Sequence, residues 1–201
     1  EPIPLEYANT TKMIQLLISV LAAGNAGIPR KQLIDRLYGN DVLEDPAVTL
    51  RVNAHRLRKY LKKTEAFKDA DCIRIKLGNY FWDRNEVPVE LDTEVFVNAY
   101  EQAEMETDEE TKLSYLMKAC RVYQGDFLPE LGGEEWVAIA CADYQKKYFE
   151  CLKEAEIILL KQDRHEELLE LSEQACRYYP YEEFYLLQID CLMSLGRFKE
   201  A

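Results

Sequence analysis

The sequence is poor in the residues from which metal and redox centres are usually built. It contains only two histidines, His55 and His165, and none of its six cysteines belongs to a Cys-x-x-Cys pair. Most of the cysteines stand at apolar positions of helical patterns, which predicts reduced thiols packed in a core. We therefore expect neither a metal site nor a cofactor.

Long apolar runs are also missing. None approaches the roughly 18 residues that a membrane-spanning helix needs, and the chain does not open on a signal peptide. These absences predict a cytoplasmic protein with no membrane partner. The abrupt opening, and a last residue that falls in the first turn of a predicted helix, suggest a piece of a longer protein.

Motifs for catalysis are scarce as well. The eight glycines are scattered at predicted turns, so no glycine-rich loop is available to hold phosphates. The carboxylates that could form an acid–base pair are Asp126, Glu130, Glu134 and Glu135. They fall in a loop and at a helix start, where the helix dipole favours acids without any catalytic role. The sequence predicts that the chain is not an enzyme.

Charge is present in quantity but is unevenly distributed. The chain has a formal net charge of -12, yet residues 1–86 contain 14 Lys and Arg against 11 Asp and Glu, whereas residues 87–201 contain 11 against 26. The first part can approach a polyanion, and the second would repel one. We expect two domains, residues 1–86 and 87–201, joined by a polar segment from Asp83 to Pro88.

The most cationic segment of the chain is predicted to be a helix over residues 46–63. Asp45 can cap this helix, and Pro46 suits its first turn. One face is an apolar stripe at helical spacing; its members are Ala47, Leu50, Ala54, Leu57 and Leu61. The outer face and its flanks carry six cations and no acid between residues 51 and 63. Taken alone, such a face could be merely solvated.

A β-hairpin is predicted after this helix. Residues 72–83 alternate apolar and basic side chains, are interrupted at Gly78-Asn79 and end in aromatic residues. Two further helical patterns, residues 11–23 and 29–38, precede the cationic helix, and residues 1–7 suit an edge strand. The order of helices and hairpin is that of a winged helix-turn-helix, a DNA-binding fold.

The same segments resemble a known family. The sequence TLRVNAHRLRKYL, from Thr49 to Leu61, is similar to the recognition helix of OmpR-type winged-helix regulators, and Leu77-Gly78-Asn79-Tyr80 resembles their wing. The resemblance implies binding of double-stranded DNA, with the helix in the major groove and the wing on the flanking backbone or minor groove. It also implies that the acidic loop from Gly39 to Asp45 contacts RNA polymerase.

Candidate DNA contacts follow from side-chain chemistry. Arginine suits guanine and valine can meet a thymine methyl group, so the candidates for base edges are Val48, Arg51, Val52 and His55. Phosphate contacts are expected from Arg56, Arg58, Lys59, Lys62 and Lys63, and on the wing from Arg74 and Lys76. Arg30 and Lys31 lie at the start of the second predicted helix. Contact with phosphates and plain solubility explain these two basic residues equally well.

From Asp92 onward the pattern is almost entirely helical. Helices are predicted over residues 93–105, 109–122, 135–161, 164–178 and 181–195. Residues 160–168 align with residues 193–201 at a shift of 33, which matches Arg164 with Arg197 and Glu167 with Glu200. This period is that of tetratricopeptide (TPR) repeats, which stack because one helix pair cannot bury its own apolar face. The predicted fold class is mainly α: a winged helix with a small hairpin, followed by an all-α TPR-like domain.

Several short segments of residues 87–201 resemble the bacterial transcriptional activator domain. In SARP-type regulators this domain follows an OmpR-like winged helix. The segments are Leu91 to Phe96, Ala119 to Pro129, Glu135 to Val137, Tyr179 to Glu183 and Leu195 to Arg197. The resemblance covers about residues 10–201 and implies a transcriptional activator. The acidic repeats would then bind protein: a second copy, a polymerase subunit or a sensor domain. The alternative is a TPR-like adaptor that binds protein and no DNA.

Overall fold

A computed structural model describes residues 12–39 and 41–200 of the chain. The fold is mainly helical with one small antiparallel sheet, which confirms the predicted fold class. It divides into two compact units after Val89. The edge strand expected in residues 1–7 lies outside the described residues.

The described residues of the amino-terminal unit form a three-helix bundle with a three-stranded sheet. Its helices are α1 (Lys12–Ala22), α2 (Arg30–Tyr38) and α3 (Pro46–Leu61), and its strands are β1 (Ile28–Pro29), β2 (Ile73–Lys76) and β3 (Asn79–Trp82). The strands are antiparallel in the order β1-β3-β2. The helices have the predicted order, and β2 and β3 form the predicted hairpin.

Strand β1 was not predicted. The sequence places Pro29 at the start of the second helix and Ile28 in no element, because so short a strand leaves no alternating pattern. Ile28 pairs with Tyr80 of β3 and is buried, and Gly27 enters the strand with a φ of 67°. A β-carbon on Gly27 would lie 2.7 Å from the carbonyl oxygen of Tyr80, so the close approach of the two backbones requires glycine.

The hairpin turn was predicted one residue too late. Lys76 pairs with Asn79, which leaves Leu77 and Gly78 as a two-residue loop. Their φ values are 52° and 84°, as the mirror-image turns favoured by hairpins require. Asparagine at position 79 misled the prediction because asparagine often occupies such turns; here it begins β3.

The apolar stripe of α3 is buried as predicted. Leu50, Ala54, Leu57 and Leu61 are at most 1% exposed, while Ala47 is half-buried at the start of the helix. They pack in a core with residues of α1, α2 and the sheet. Burial of each leucine contributes roughly 1.5–3 kcal/mol, so this side of α3 anchors it firmly.

The carboxy-terminal unit consists of five helices. They are α4 (Asp92–Met105), α5 (Glu109–Val122), α6 (Glu135–Lys161), α7 (His165–Tyr178) and α8 (Glu182–Ser194). Each packs against the next along the chain, as stacked repeats do. The shared core includes the buried thiols of Cys120, Cys151 and Cys191; all six cysteines of the chain are unpaired.

The sequence repeat has a structural counterpart. The turns after α6 and α8 each contain one residue with positive φ, Asp163 at 55° and Gly196 at 72°. The next backbone N–H donates to the carbonyl five residues earlier, from Arg164 to Leu159 at 3.0 Å and from Arg197 to Leu192 at 2.8 Å. In both turns the arginine also pairs with the glutamate three residues on. Residues 198–200 form a turn, not the expected new helix.

None of the helices in residues 12–39 and 41–200 combines the length and apolar character needed to cross a membrane. Within those residues, no three His, Cys, Asp or Glu side chains come together as metal ligands would.

Candidate nucleic-acid interface

The position of α3 is fixed at its start by a capping bond. The Asp45 carboxylate accepts a hydrogen bond from the backbone N–H of Val48 at 2.9 Å, and Pro46 occupies the first turn. Farther along, the Asn53 amide donates to the Tyr38 hydroxyl of α2 at 2.6 Å. Burial raises the pKa of Tyr38, while the bond to Asn53 lowers it. The helix is therefore held by polar bonds as well as by its leucines.

The outer face of α3 is open to solvent. Val48 and Val52 are each 43% exposed, and Arg51 and His55 are exposed beside them. These four residues, predicted to meet base edges, lie on one face because their spacing follows the helical repeat. The Arg51 guanidinium makes only a long local bond, 3.4 Å from the Ala47 carbonyl oxygen.

Four of the predicted phosphate contacts flank this face. They are Arg56, Lys59, Lys62 and Lys63, all exposed. Helix α3 ends at Leu61, so the last two lysines stand just beyond its end. Among residues 12–39 and 41–200, no carboxylate forms an ion pair with these four or with Arg51. Five cations are thus available to an external anion.

Two of the predicted contacts have partners within the unit. Arg58 donates to the Ile73 carbonyl oxygen at 2.8 Å and lies 3.5 Å from Asp71. Arg74 lies 3.0 Å from Asp83 and 2.6 Å from Glu86. Sequence spacing could not reveal these pairs, since each joins residues at least nine positions apart. Arg58 thereby ties α3 to the hairpin, and Arg74 ties the hairpin to the segment after it.

The remaining predicted contacts are exposed. Lys76 stands at the end of β2 next to the hairpin turn, where Leu77 is 96% exposed. Arg30 and Lys31 open α2, and the Arg30 backbone N–H donates to the Gly78 carbonyl oxygen at 3.0 Å. This bond brings the start of α2 to the hairpin turn, a proximity that the sequence did not indicate.

The loop between α2 and α3 is acidic and partly anchored. Asp41 lies 3.2 Å from Lys12 of α1, whereas Val42 and Glu44 are exposed. Val42 has no apolar cover, since its side chain is completely exposed.

A winged helix followed by a unit of stacked helices is the architecture of SARP-type bacterial transcriptional regulators. The sequence profile of the bacterial transcriptional activator domain matches residues 91–201, which is more than half of the chain. The chain therefore belongs to the bacterial transcriptional activator domain family. No curated protein sequence matches the sequence of this chain.

One solved structure with a similar fold is that of Mycobacterium tuberculosis EmbR in complex with a low affinity phosphopeptide. The TM-score is 0.63 and the sequence identity is 16%, over 94% of this chain and 50% of the EmbR chain. At this identity the likeness concerns the fold. The chain spans about half the length of that EmbR chain.

Proposed function

We propose that the chain binds double-stranded DNA sequence-specifically and activates transcription. In this proposal α3 enters the major groove, and the β2–β3 hairpin lies on the flanking backbone or in the minor groove. The observation that carries the proposal is the outer face of α3. In a chain of net charge -12, five cations that have no carboxylate partner among the described residues stand on or just beyond one helix.

The roles of the exposed residues follow from their chemistry. Val48, Arg51, Val52 and His55 are central on the face, so they are assigned to base edges. Arg56, Lys59, Lys62 and Lys63 are assigned to phosphates, together with Lys76 on the hairpin and Arg30 and Lys31 on α2. A phosphate would have to displace carboxylates from Arg58 and Arg74, so we assign these two to positioning α3 and the hairpin.

The acidic unit is proposed to bind protein. Helix α8 presents an exposed apolar row on the side away from its buried residues; its members are Tyr185, Leu186, Ile189 and Met193. Exposed apolar patches of this kind mark interaction surfaces. The partner would be a second copy, a polymerase subunit or a sensor domain, and the loop from Gly39 to Asp45 is a second surface for RNA polymerase.

That apolar row also supports the competing proposal of an adaptor without DNA binding. The two are separated by selecting bound fragments from random duplexes and measuring their mobility shift at increasing salt. Counterion release predicts that log affinity falls linearly with log salt, by about 0.9 for each phosphate contact. An adaptor would retain no duplex at any salt concentration.

Two variants test the division of roles. Arg51→Ala should reduce discrimination between the selected and a scrambled duplex by about 1–3 kcal/mol. Lys62→Ala should weaken binding to both duplexes alike. It should also reduce the slope of log affinity against log salt by about one unit. Lys118→Ala, which removes an exposed lysine from α5, is the control and should change neither. The assignment would be contradicted if each variant, Arg51→Ala as well as Lys62→Ala, lost the same affinity for the selected duplex as for the scrambled one.

A further inference from the structure

The carboxy-terminal unit contains a small cavity that DNA binding does not use. Its volume is about 170 Å³, and it lies between the start of α4, the loop after α5 and the first half of α6. This is below the ~300–1,000 Å³ of pockets that hold drug-sized ligands, so the cavity suits only a small group. Four of its eleven lining residues are aromatic; they are Phe96, Tyr123, Phe127 and Tyr144.

The rings are arranged as walls and not as a stack. Tyr144 is nearly perpendicular to both of its neighbours: its ring lies 6.1 Å from Phe96 at 76° and 5.2 Å from Phe127 at 68°. Phe96 is tilted by 52° against Tyr123, and Trp136 supports Phe127 from outside the lining at 6.2 Å. The rings that border the cavity therefore lie at steep angles to one another, while Tyr123 stacks on Tyr148 behind it, with the centroids 4.0 Å apart.

The lining also includes two acidic residues, Asp92 and Asp126. Asp126 is held in place, since its Oδ1 accepts hydrogen bonds from the Gln145 amide at 2.7 Å and the Tyr179 hydroxyl at 2.6 Å. Neither bond uses Oδ2. The Tyr179 hydroxyl lies 2.6 Å from that of Tyr123, which extends the network along the cavity wall.

The ionisable side chains with the lowest usual pKa values in the lining of the cavity are the two acids. Among the described residues, its lining includes no Lys, Arg or His to balance the two carboxylates. Burial raises the pKa of Tyr123 to about 12, and the charge of Asp126 adds to that rise. Burial likewise raises the pKa of Tyr144, with Asp143 and Asp92 contributing. Two carboxylates without a balancing cation disfavour an anion as the occupant.

We propose that this cavity binds the head of an alkylated ammonium ion, with its methyl groups against the four rings and its charge facing Asp92 and Asp126. Aromatic ring faces attract cations, and cages of such rings are a recurrent way of recognising quaternary ammonium groups. A Ca²⁺ or Mg²⁺ ion would need about six or more oxygen ligands, which these largely apolar walls do not offer. A neutral apolar ligand would leave the two carboxylates unused. The proposal does not depend on DNA binding.

Choline and its neutral isostere 3,3-dimethyl-1-butanol provide the test, because they differ in charge but hardly in shape. Isothermal titration calorimetry of the whole chain should show saturable binding of choline and tetramethylammonium and none of the alcohol. Equal binding of choline and the alcohol would show an apolar cavity with no preference for charge. Absence of saturable binding by both cations would overturn the proposal.

Variants locate the binding at this cavity. Phe127→Leu keeps the wall apolar but removes a ring face, and should weaken choline binding about tenfold. Asp92→Asn removes one exposed charge, and should weaken it about two- to fivefold. Glu130→Gln makes the same change of charge in the nearby loop outside the lining and should have no effect. Circular dichroism checks that each variant is folded; folded variants that bind as the parent does would contradict the assignment.

Discussion

Replacing Leu77 by asparagine should stabilise the amino-terminal unit. Leu77 occupies the hairpin turn with a φ of 52°, a left-handed conformation that costs a residue with a β-carbon about 1–2 kcal/mol. Asparagine adopts this conformation more readily. The leucine side chain is 96% exposed, so its removal sacrifices almost no buried apolar surface. We expect a net gain of about 1 kcal/mol, or roughly 4–8 °C in Tm for a unit of this size.

Tryptophan fluorescence can isolate this effect. The chain has two tryptophans, buried Trp82 in β3 and half-buried Trp136 in the other unit. In a Trp136→Phe background, thermal unfolding followed by emission reports the amino-terminal unit alone. Val42→Asn is the matched control, because Val42 is equally exposed but does not have a positive φ. If Leu77→Asn shifts Tm no more than Val42→Asn does, the reasoning from backbone strain is wrong.

Two further predictions concern the carboxy-terminal unit. Tyr179→Phe should lower its stability by about 1–3 kcal/mol in urea denaturation, because the buried Tyr123 hydroxyl and Asp126 both lose a partner; an unchanged midpoint would contradict this network. Burial, with the charge of Glu183 adding to it, raises the pKa of Glu156, so ionisation costs more free energy in the folded state than in the unfolded state. That penalty is complete above the folded pKa and vanishes below the unfolded one, so Glu156→Gln should raise Tm at about pH 7.5 but not near pH 3.5. An equal rise at both pH values would refute the assignment.

Local sequence patterns were sufficient to predict most of the helices. In α3 the spacing of Leu50, Ala54, Leu57 and Leu61 fixed which face is buried, because a helix places such positions on one side whatever it packs against. Asp45 and Pro46 fixed its start for an equally local reason. The repeat from Arg164 to Arg197 was also visible, since stacked units reuse the same turn and the same Arg–Glu pair.

Tertiary structure decided the features that depend on residues distant in sequence. Strand β1 exists only because β3 offers it an edge. Arg58 and Arg74 have partners only because the fold brings the Ile73 carbonyl oxygen and the carboxylates of Asp71, Asp83 and Glu86 to them. The aromatic cavity likewise collects Phe96, Phe127 and Tyr144 from three segments. The sequence by itself determined where helices form and which of their faces are apolar, because those properties repeat along the chain. Only the folded chain decided which charges remain available and where side chains converge, because pairing depends on distances in space.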